Sequence, residues 1–349
     1  MNDGSRLDDC GEAWLIEHVF APRYRSRGFG RFGDDSAVVL NDLGLGEGSL
    51  VATTDPCPPP AVFDLGYEDY YYWGWLSVII NMSDLAAAGA RPVALLDSLE
   101  LPPGMRLGEL RRLLDGIDEA ADACGASVIG GNIKESARLN VTATAMGICH
   151  PRVLSRAGAM PEDILMVIGP VGEFWAEYLD SKSGVQSFPK AVALPAAQVS
   201  AGPILSRMPG VTSCADNSDG LAVTVTHIAA RNSIGAIIEV DAIDFAESVR
   251  SSARKHGVAP INLAIGWGDW SLVCTVAPDS VDDVRRELHA EGIRCSRLGR
   301  MTPQPGLMLD DGANLLHAAP IRSERLTKDS WMTAGLSAYV RAVLSWKPT

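Results

Sequence analysis

Residues 77–89 read Ser77-Val78-Ile79-Ile80-Asn81-Met82-Ser83-Asp84-Leu85-Ala86-Ala87-Ala88-Gly89. They end an aromatic and aliphatic run that starts near residue 69. Ser77, Asn81 and Asp84 recur four and three residues apart, so a helix over 69–88 carries them as one polar stripe. Gly89 stops it. A carboxylate on a helix this apolar either faces solvent or is paired or metal-bound, because burying an isolated charge is prohibitive.

Working outward, other acidic motifs sit beside predicted strands. Ser36 to Leu40 and Leu50 to Thr53 are β-branched apolar runs, the first preceded by Gly33-Asp34-Asp35 and the second ending in Thr53-Thr54-Asp55. Downstream, Leu110, Leu113, Leu114, Ile117, Ala121 and Cys124 follow the 3.6-residue period over 107–124, and Gly125 is a natural C-terminal cap. Strands at 127–129 and 139–148 follow. His150-Pro151 and the turn-rich, charged stretch 156–163 mark a boundary, which divides the chain into domains 1–150 and 151–349. Past it, a strand at 164–168, a helix from Gly220 to about Arg231, strands at 236–240 and 271–276, a helix at 281–291 and a strand at 297–300 restore the alternation. Residues 181–213 lack clear periodicity and read as a short helix with connections. Residues 11–22 put Trp14, Leu15, His18 and Val19 at helical spacing ahead of Pro22. The expected class is α/β (α+β) in two domains of similar size.

Composition bounds the function. With 349 residues, 47% hydrophobic and 21% charged, the chain can bury a large core. A formal net charge of −13 argues against a nucleic-acid partner or an anionic membrane surface, which need clustered Lys and Arg. The longest apolar stretch, around Trp73 to Met82, is too short to span a bilayer. Met1 to Asp9 lacks the layout of a secretory signal. The cysteines, seven in number and without a C-x-x-C pair, fit a reduced, cytoplasmic protein.

Asp beside Gly, Ser or Asn at turns and helix starts is how an oxygen-lined cage for Mg2+ and nucleotide phosphates is built. Asp216-Asn217-Ser218-Asp219-Gly220 leads into an apolar helix, where Ser218 or Asp219 can serve as N-cap without excluding metal binding. Asp34 and Asp35 are an exposed turn or part of a metal site. Gly130-Gly131-Asn132 is a plain turn or a close backbone approach to phosphate. Gly28-Phe29-Gly30-Arg31-Phe32-Gly33 matches G-x-G-x-x-G, but it follows a helix and precedes a strand, the reverse of the dinucleotide-binding context. No P-loop sequence occurs, and the six histidines show no metal-ligand or triad spacing.

In order and spacing, these motifs resemble the thiamine-monophosphate kinase branch of the superfamily that holds aminoimidazole ribonucleotide synthase, selenophosphate synthetase and the hydrogenase-maturation dehydratase. The resemblance runs from Gly11-Glu12 through Gly33-Asp34-Asp35, Thr53-Thr54-Asp55, Asn81 to Ala90, Gly130-Gly131, Arg156 to Asp163 and Asp216 to Leu221 to Gly299-Arg300. It implies a homodimer paired through the N-terminal sheets, with ATP and several Mg2+ held between domains and a small-molecule acceptor. It further implies that Asp34, Asp35, Asp55, Asp84, Asp216 and Asp219 carry Mg2+. Thr54, Gly130, Gly131, Asn132 and Arg156 would approach the nucleotide, with Asp84, Asp219 and Arg156 at the chemistry and Asp269 and Trp270 facing the acceptor. The chain departs from the branch at Asn132, where the branch has Asp, at Val62, where it has His, and over Gly266-Trp267-Gly268-Asp269-Trp270-Ser271, where it has Gly-Gly-Glu-Asp-Tyr-Glu. The last two fall at expected acceptor contacts, while Asn132 keeps a carbonyl ligand and deletes one negative charge. Three functions follow as expectations: a phosphotransferase of this type, a synthase that phosphorylates a carbonyl or amide oxygen, or a nucleotide-binding protein without turnover.

Overall fold

The computed structural model describes residues 12–20, 22, 34–40, 48–319 and 331–349. The Gly28 to Gly33 motif lies outside them. Of the expected first helix, Glu12–Leu15 is α-helical and Ile16–Phe20 is a π turn, with Trp14 stacked on His18.

The N-terminal half is a five-stranded sheet in the order β1-β2-β5-β3-β4, from β1 (Ala37–Leu40), β2 (Ser49–Cys57), β3 (Ala90–Leu101), β4 (Ser127–Glu135) and β5 (Asn140–Cys149). All neighbours are antiparallel except β3 and β4, which the Leu107–Ala123 helix joins as a crossover. That helix and Tyr70–Ala87 cover one face of the sheet. They meet at two glycines: a Cβ on Gly74 would lie 2.0 Å from the Leu113 carbonyl oxygen, and one on Gly116 would lie 2.0 Å from that of Tyr71. Along β5 every second residue from Val141 to Cys149 is buried against the helices, while Thr142, Thr144, Met146 and Ile148 are half-buried on the open face.

The C-terminal half is a seven-stranded sheet in the order β12-β11-β8-β10-β6-β9-β7. Its strands are β6 (Ile164–Ile168), β7 (Val211–Asp216), β8 (Gly235–Glu239), β9 (Leu272–Val276), β10 (Cys295–Thr302), β11 (Gly306–Asp310) and β12 (Leu315–His317). Only β8 and β11 run parallel. The sheet is covered on both sides: Leu165, Val167 and Val273 enter a core with the Glu173–Lys182 and Leu221–Arg231 helices, and Met166, Ile168 and Cys274 enter one with Val281–Ala290. All of β9 is buried.

Expected and observed elements differ in places. β4 extends six residues past Ile129 and carries Gly130-Gly131-Asn132 inside the strand rather than in a turn. The stretch 181–213, expected as one short helix with connections, holds two, Lys190–Ala193 and Ala201–Arg207, and opens β7. Gly220 itself caps the next helix, with φ of 96° and no side-chain cap bond, so neither Ser218 nor Asp219 serves as N-cap.

Gly131 shows why glycine stands in β4. Its φ is 158°, and a Cβ there would lie 2.0 Å from the Asp97 carbonyl oxygen on β3. At Gly130 the nearest atom to an added Cβ is Leu96 Cδ2 at 3.6 Å. Gly131→Ala is therefore expected to cost about 2–3 kcal/mol in denaturant unfolding, more than Gly130→Ala; equal costs would contradict the close approach.

Candidate active site

Four segments from both halves converge at one point. Asp84 lies near the end of the Tyr70–Ala87 helix, Thr53 and Asp55 on β2, Asp34 and Asp35 just before β1, and Asp216 at the last position of β7. Carboxylate oxygens of Asp35, Asp84 and Asp216 all lie within 4.8 Å of one another. Asp84 is 9% exposed and Asp216 3%, which removes the solvent-facing alternative for Asp84.

Local hydrogen bonds aim these groups. Thr53 Oγ1 donates to Asp84 Oδ2 at 2.6 Å, and Ser36 Oγ donates to the Asp84 carbonyl oxygen at 3.2 Å. Asn81 Oδ1 accepts from the Asp55 backbone N–H at 3.1 Å, while its Nδ2 donates to the Ser77 carbonyl at 3.0 Å. The polar stripe is thus the seam between helix and sheet. Asp34 Oδ1 accepts from Ser155 Oγ at 3.1 Å and from the Arg156 N–H at 3.2 Å. The Arg156 guanidinium pairs with Asp35.

Burial shifts the protonation of this cluster. Asp84 is pushed well above the ordinary carboxylate value by burial, then by Asp216, Asp55 and Asp35, with Thr53 opposing. Asp216 is pushed up to about 8 by burial and by Asp35, against the pull of Arg156. For Asp35 burial outweighs Arg156. Closely spaced carboxylates in a low-dielectric site cannot all ionise without a compensating cation. Asp216 Oδ2 is buried with no protein partner, and so is Arg156 Nε. A hard divalent cation such as Mg2+ fits this all-oxygen donor set, and Asp216 Oδ2 would be satisfied by it.

The other expected site residues fall in three places. Asp219 is half-exposed and close enough to Asp216 to raise its pKa, so it borders the cluster. Thr54 is exposed on the open face, where its Oγ1 donates to the Ala143 carbonyl at 3.0 Å and accepts from Thr144 Oγ1 at 2.9 Å. Gly130, Gly131 and Asn132 lie on the edge strand β4, three strands from β2, a separation of roughly 14 Å. One chain does not bring them to the acids.

The residues expected on the acceptor side divide, Asp269 standing on a cavity wall and Trp270 and Val62 packing into the two cores. Asp269 is 4% exposed, and its oxygens accept from the backbone N–H groups of Gly172 at 2.6 Å and Phe174 at 3.0 Å. It caps the Glu173–Lys182 helix, and burial pushes it up to about 6. Trp270, with φ of 48°, packs against the N-terminal core. Val62 is fully buried in the C-terminal core. Asp269 also lines a cavity of about 440 Å3, together with Gly169, Glu173, Glu177, Gln198 and Gly268, among others. Both Ile168 and Asp216 pair with Leu272 of β9, so Gly169 leaves the sheet at the edge that carries Asp216, two strands away or roughly 10 Å.

Thr53 and Asn81 hold the acids without having been singled out as site residues. Strand alternation carries the signal for Thr53: residues 53 and 55 share a face and residue 54 points away.

Comparison with known proteins follows the same architecture. Residues 33–149 match the family AIR synthase related protein, N-terminal domain, and residues 160–311 match its C-terminal domain. The chain belongs to the AIR synthase related family. Within it the chain is thiamine-monophosphate kinase-like: it is 29% identical to the thiamine-monophosphate kinase of Halobacterium salinarum over 81% of this chain and 92% of that one. It is 25% identical to carbamoyl dehydratase HypE of Cupriavidus necator, over 87% of this chain and 84% of that one. Among solved structures, AaThiL complexed with AMPPCP and TMP superposes with a TM-score of 0.74 at 23% identity, covering 88% of this chain and 96% of that one. The thiamine-monophosphate kinase of Stenotrophomonas maltophilia K279a gives a TM-score of 0.68 at 25% identity, covering 85% and 95%.

Proposed function

We propose that this protein is an ATP- and Mg2+-dependent phosphotransferase of the thiamine-monophosphate kinase type with an altered acceptor. The observation that carries this is the buried group Asp35, Asp84 and Asp216, whose oxygens converge and whose charge no protein group fully compensates. Asp34, Asp55 and Asp219 border it, and Arg156 supplies the cation that would face a phosphate. When bound, Mg2+ would neutralise the phosphate oxygens and align donor with acceptor. A phosphate acceptor is already an oxyanion at neutral pH, so the site needs no catalytic base, only alignment and charge neutralisation. The 440 Å3 cavity on the same sheet edge is large enough to take the body of a small acceptor.

The division of labour would place metal and nucleotide binding in residues 1–150, completed by 151–349. The open face of the N-terminal sheet exposes Val93 and Leu96 and fits pairing with a second copy. In such a homodimer, Gly130, Gly131 and Asn132 would meet nucleotide across the interface. No described helix is long and apolar enough to cross a membrane, and no described cysteine is in a disulfide, in keeping with a cytoplasmic enzyme.

The similarity to carbamoyl dehydratase HypE supports a second reading, an ATP-dependent synthase that activates a carbonyl or amide oxygen. Incubation with Mg-ATP and thiamine monophosphate, following ADP and acceptor by mass, separates the readings. Doubly phosphorylated thiamine supports the kinase, and ADP with inorganic phosphate only with a nitrogen-containing co-substrate supports the synthase. Nucleotide binding without turnover on any acceptor would defeat both.

A further inference from the structure

We infer that Asn232 is a positioning residue for Arg156, the cation of the acidic cluster; only the nucleotide part of its test rests on the Mg-ATP reading. Arg156 lies in the loop that precedes β6. Asn232 follows the last residue of the Leu221–Arg231 helix. Its Nδ2 donates to the Arg156 carbonyl oxygen at 2.9 Å, and its Oδ1 accepts from the Gly158 N–H at 2.8 Å. One planar amide therefore brackets Ala157 much as a neighbouring strand would. The same Nδ2 donates to the Ile228 carbonyl at 2.8 Å, which fixes the amide to the end of its helix.

The loop has little room to move under this clamp. Gly158 has φ of 120°, and a Cβ there would lie 2.3 Å from the Thr212 carbonyl oxygen. On the other side Asp34 Oδ1 accepts the Arg156 N–H at 3.2 Å. The backbone of Arg156 is thus held at its N–H by Asp34 and at its carbonyl by Asn232, with the guanidinium directed onto Asp35. The helix that ends at Asn232 begins just after Asp216 to Gly220. A single element of roughly 16 Å therefore ties the acidic side of the site to its cationic side. Nothing about an Asn after Arg231 distinguishes it in sequence from an ordinary helix end.

The test uses Asn232→Ala in the full chain. The Arg156 Nε–H signal, assigned by its loss in Arg156→Lys, should exchange with water about tenfold faster than in the unaltered protein, the effect of losing one or two hydrogen bonds. Affinity for Mg-AMPPCP should fall about tenfold, and Asn232→Ala with Arg156→Ala should bind no worse than Arg156→Ala alone, because the two act as a unit. Unchanged Nε–H exchange, or additive losses in the double variant, would overturn the role. If Asn232→Ala does not fold, Asn232→Asp is read in the same way, since it keeps the acceptor for Gly158 and loses the donor to Arg156. Failure of the unaltered chain to bind Mg-AMPPCP would count against the Mg-ATP reading, and the exchange measurement alone would then decide the role of Asn232.

Discussion

Asp84→Asn is expected to lower Mg-ATP binding or turnover by at least about tenfold, since each lost charge-assisted contact is worth about 1.5–3 kcal/mol. The change is nearly isosteric, and Thr53 Oγ1 can still donate to the remaining side-chain oxygen as it does at 2.6 Å to Asp84 Oδ2. It also removes one of three mutually repelling buried carboxylates. The metal-free variant should therefore melt higher than the unaltered protein at pH 8 while it loses activity. Retained activity would remove Asp84 from the site, and lost activity with a lowered melting temperature would point to a folding defect instead.

The second large effect is a link between pH, metal and stability. Asp216 titrates at about 8 in the folded chain, and Asp84 is also held well above the ordinary carboxylate range. Between the unfolded carboxylate value, near 4, and the folded values, the folded chain binds more protons than the unfolded one. The stability these groups contribute is therefore complete below about pH 4 and is lost as pH rises through about 8. Mg2+ competes for the same oxygens and should replace the protons. At pH 8 a concentration 100 times the dissociation constant should add about 2.7 kcal/mol, or on the order of 5–10 °C in melting temperature. At pH 5 the increment should be much smaller. Asp64 and Asp69, partly exposed beside Lys182 and Arg112, and Glu239, half-buried beside Arg297 and Arg300, have lowered pKa values and act in the opposite direction. The difference between the unaltered chain and Asp216→Asn isolates the cluster. An equal Mg2+ shift at pH 5 and pH 8 would contradict the linkage.

What the sequence revealed was set by how local the physics is. The helix at Leu107–Ala123 was legible because it buries one face at a 3.6-residue period and stops before Gly125, and that at Tyr70–Ala87, buried all round from Ser77 onward, because its long apolar run stops before Gly89. The acidic motifs were legible as a set because each occupies the end of an element, where the chain can aim it at a common point. β7 was hidden because it is buried on both sides and its small polar residues bond across the sheet, Ser213 Oγ to Thr275 Oγ1 at 2.6 Å, which leaves no alternation to read. Gly130-Gly131 suggested a turn because the close approach of Asp97 is not visible along the chain. The helix-capping role of Asp269, which it combines with a place on the cavity wall, was hidden for a similar reason. The backbone groups it caps lie 95 and 97 residues away, so its partners appear only in the folded protein.

The central claim is that Asp35, Asp84 and Asp216 hold divalent metal with the nucleotide phosphates between the two halves. Its most direct test is an anomalous-scattering map of crystals grown with Mn2+ and AMPPCP. At least one Mn2+ peak within about 2.5 Å of oxygens from all three carboxylates, with phosphate density beside it and beside Arg156, is expected. Nucleotide bound elsewhere, or a cluster without metal at saturating Mn2+ and pH 8, would contradict it.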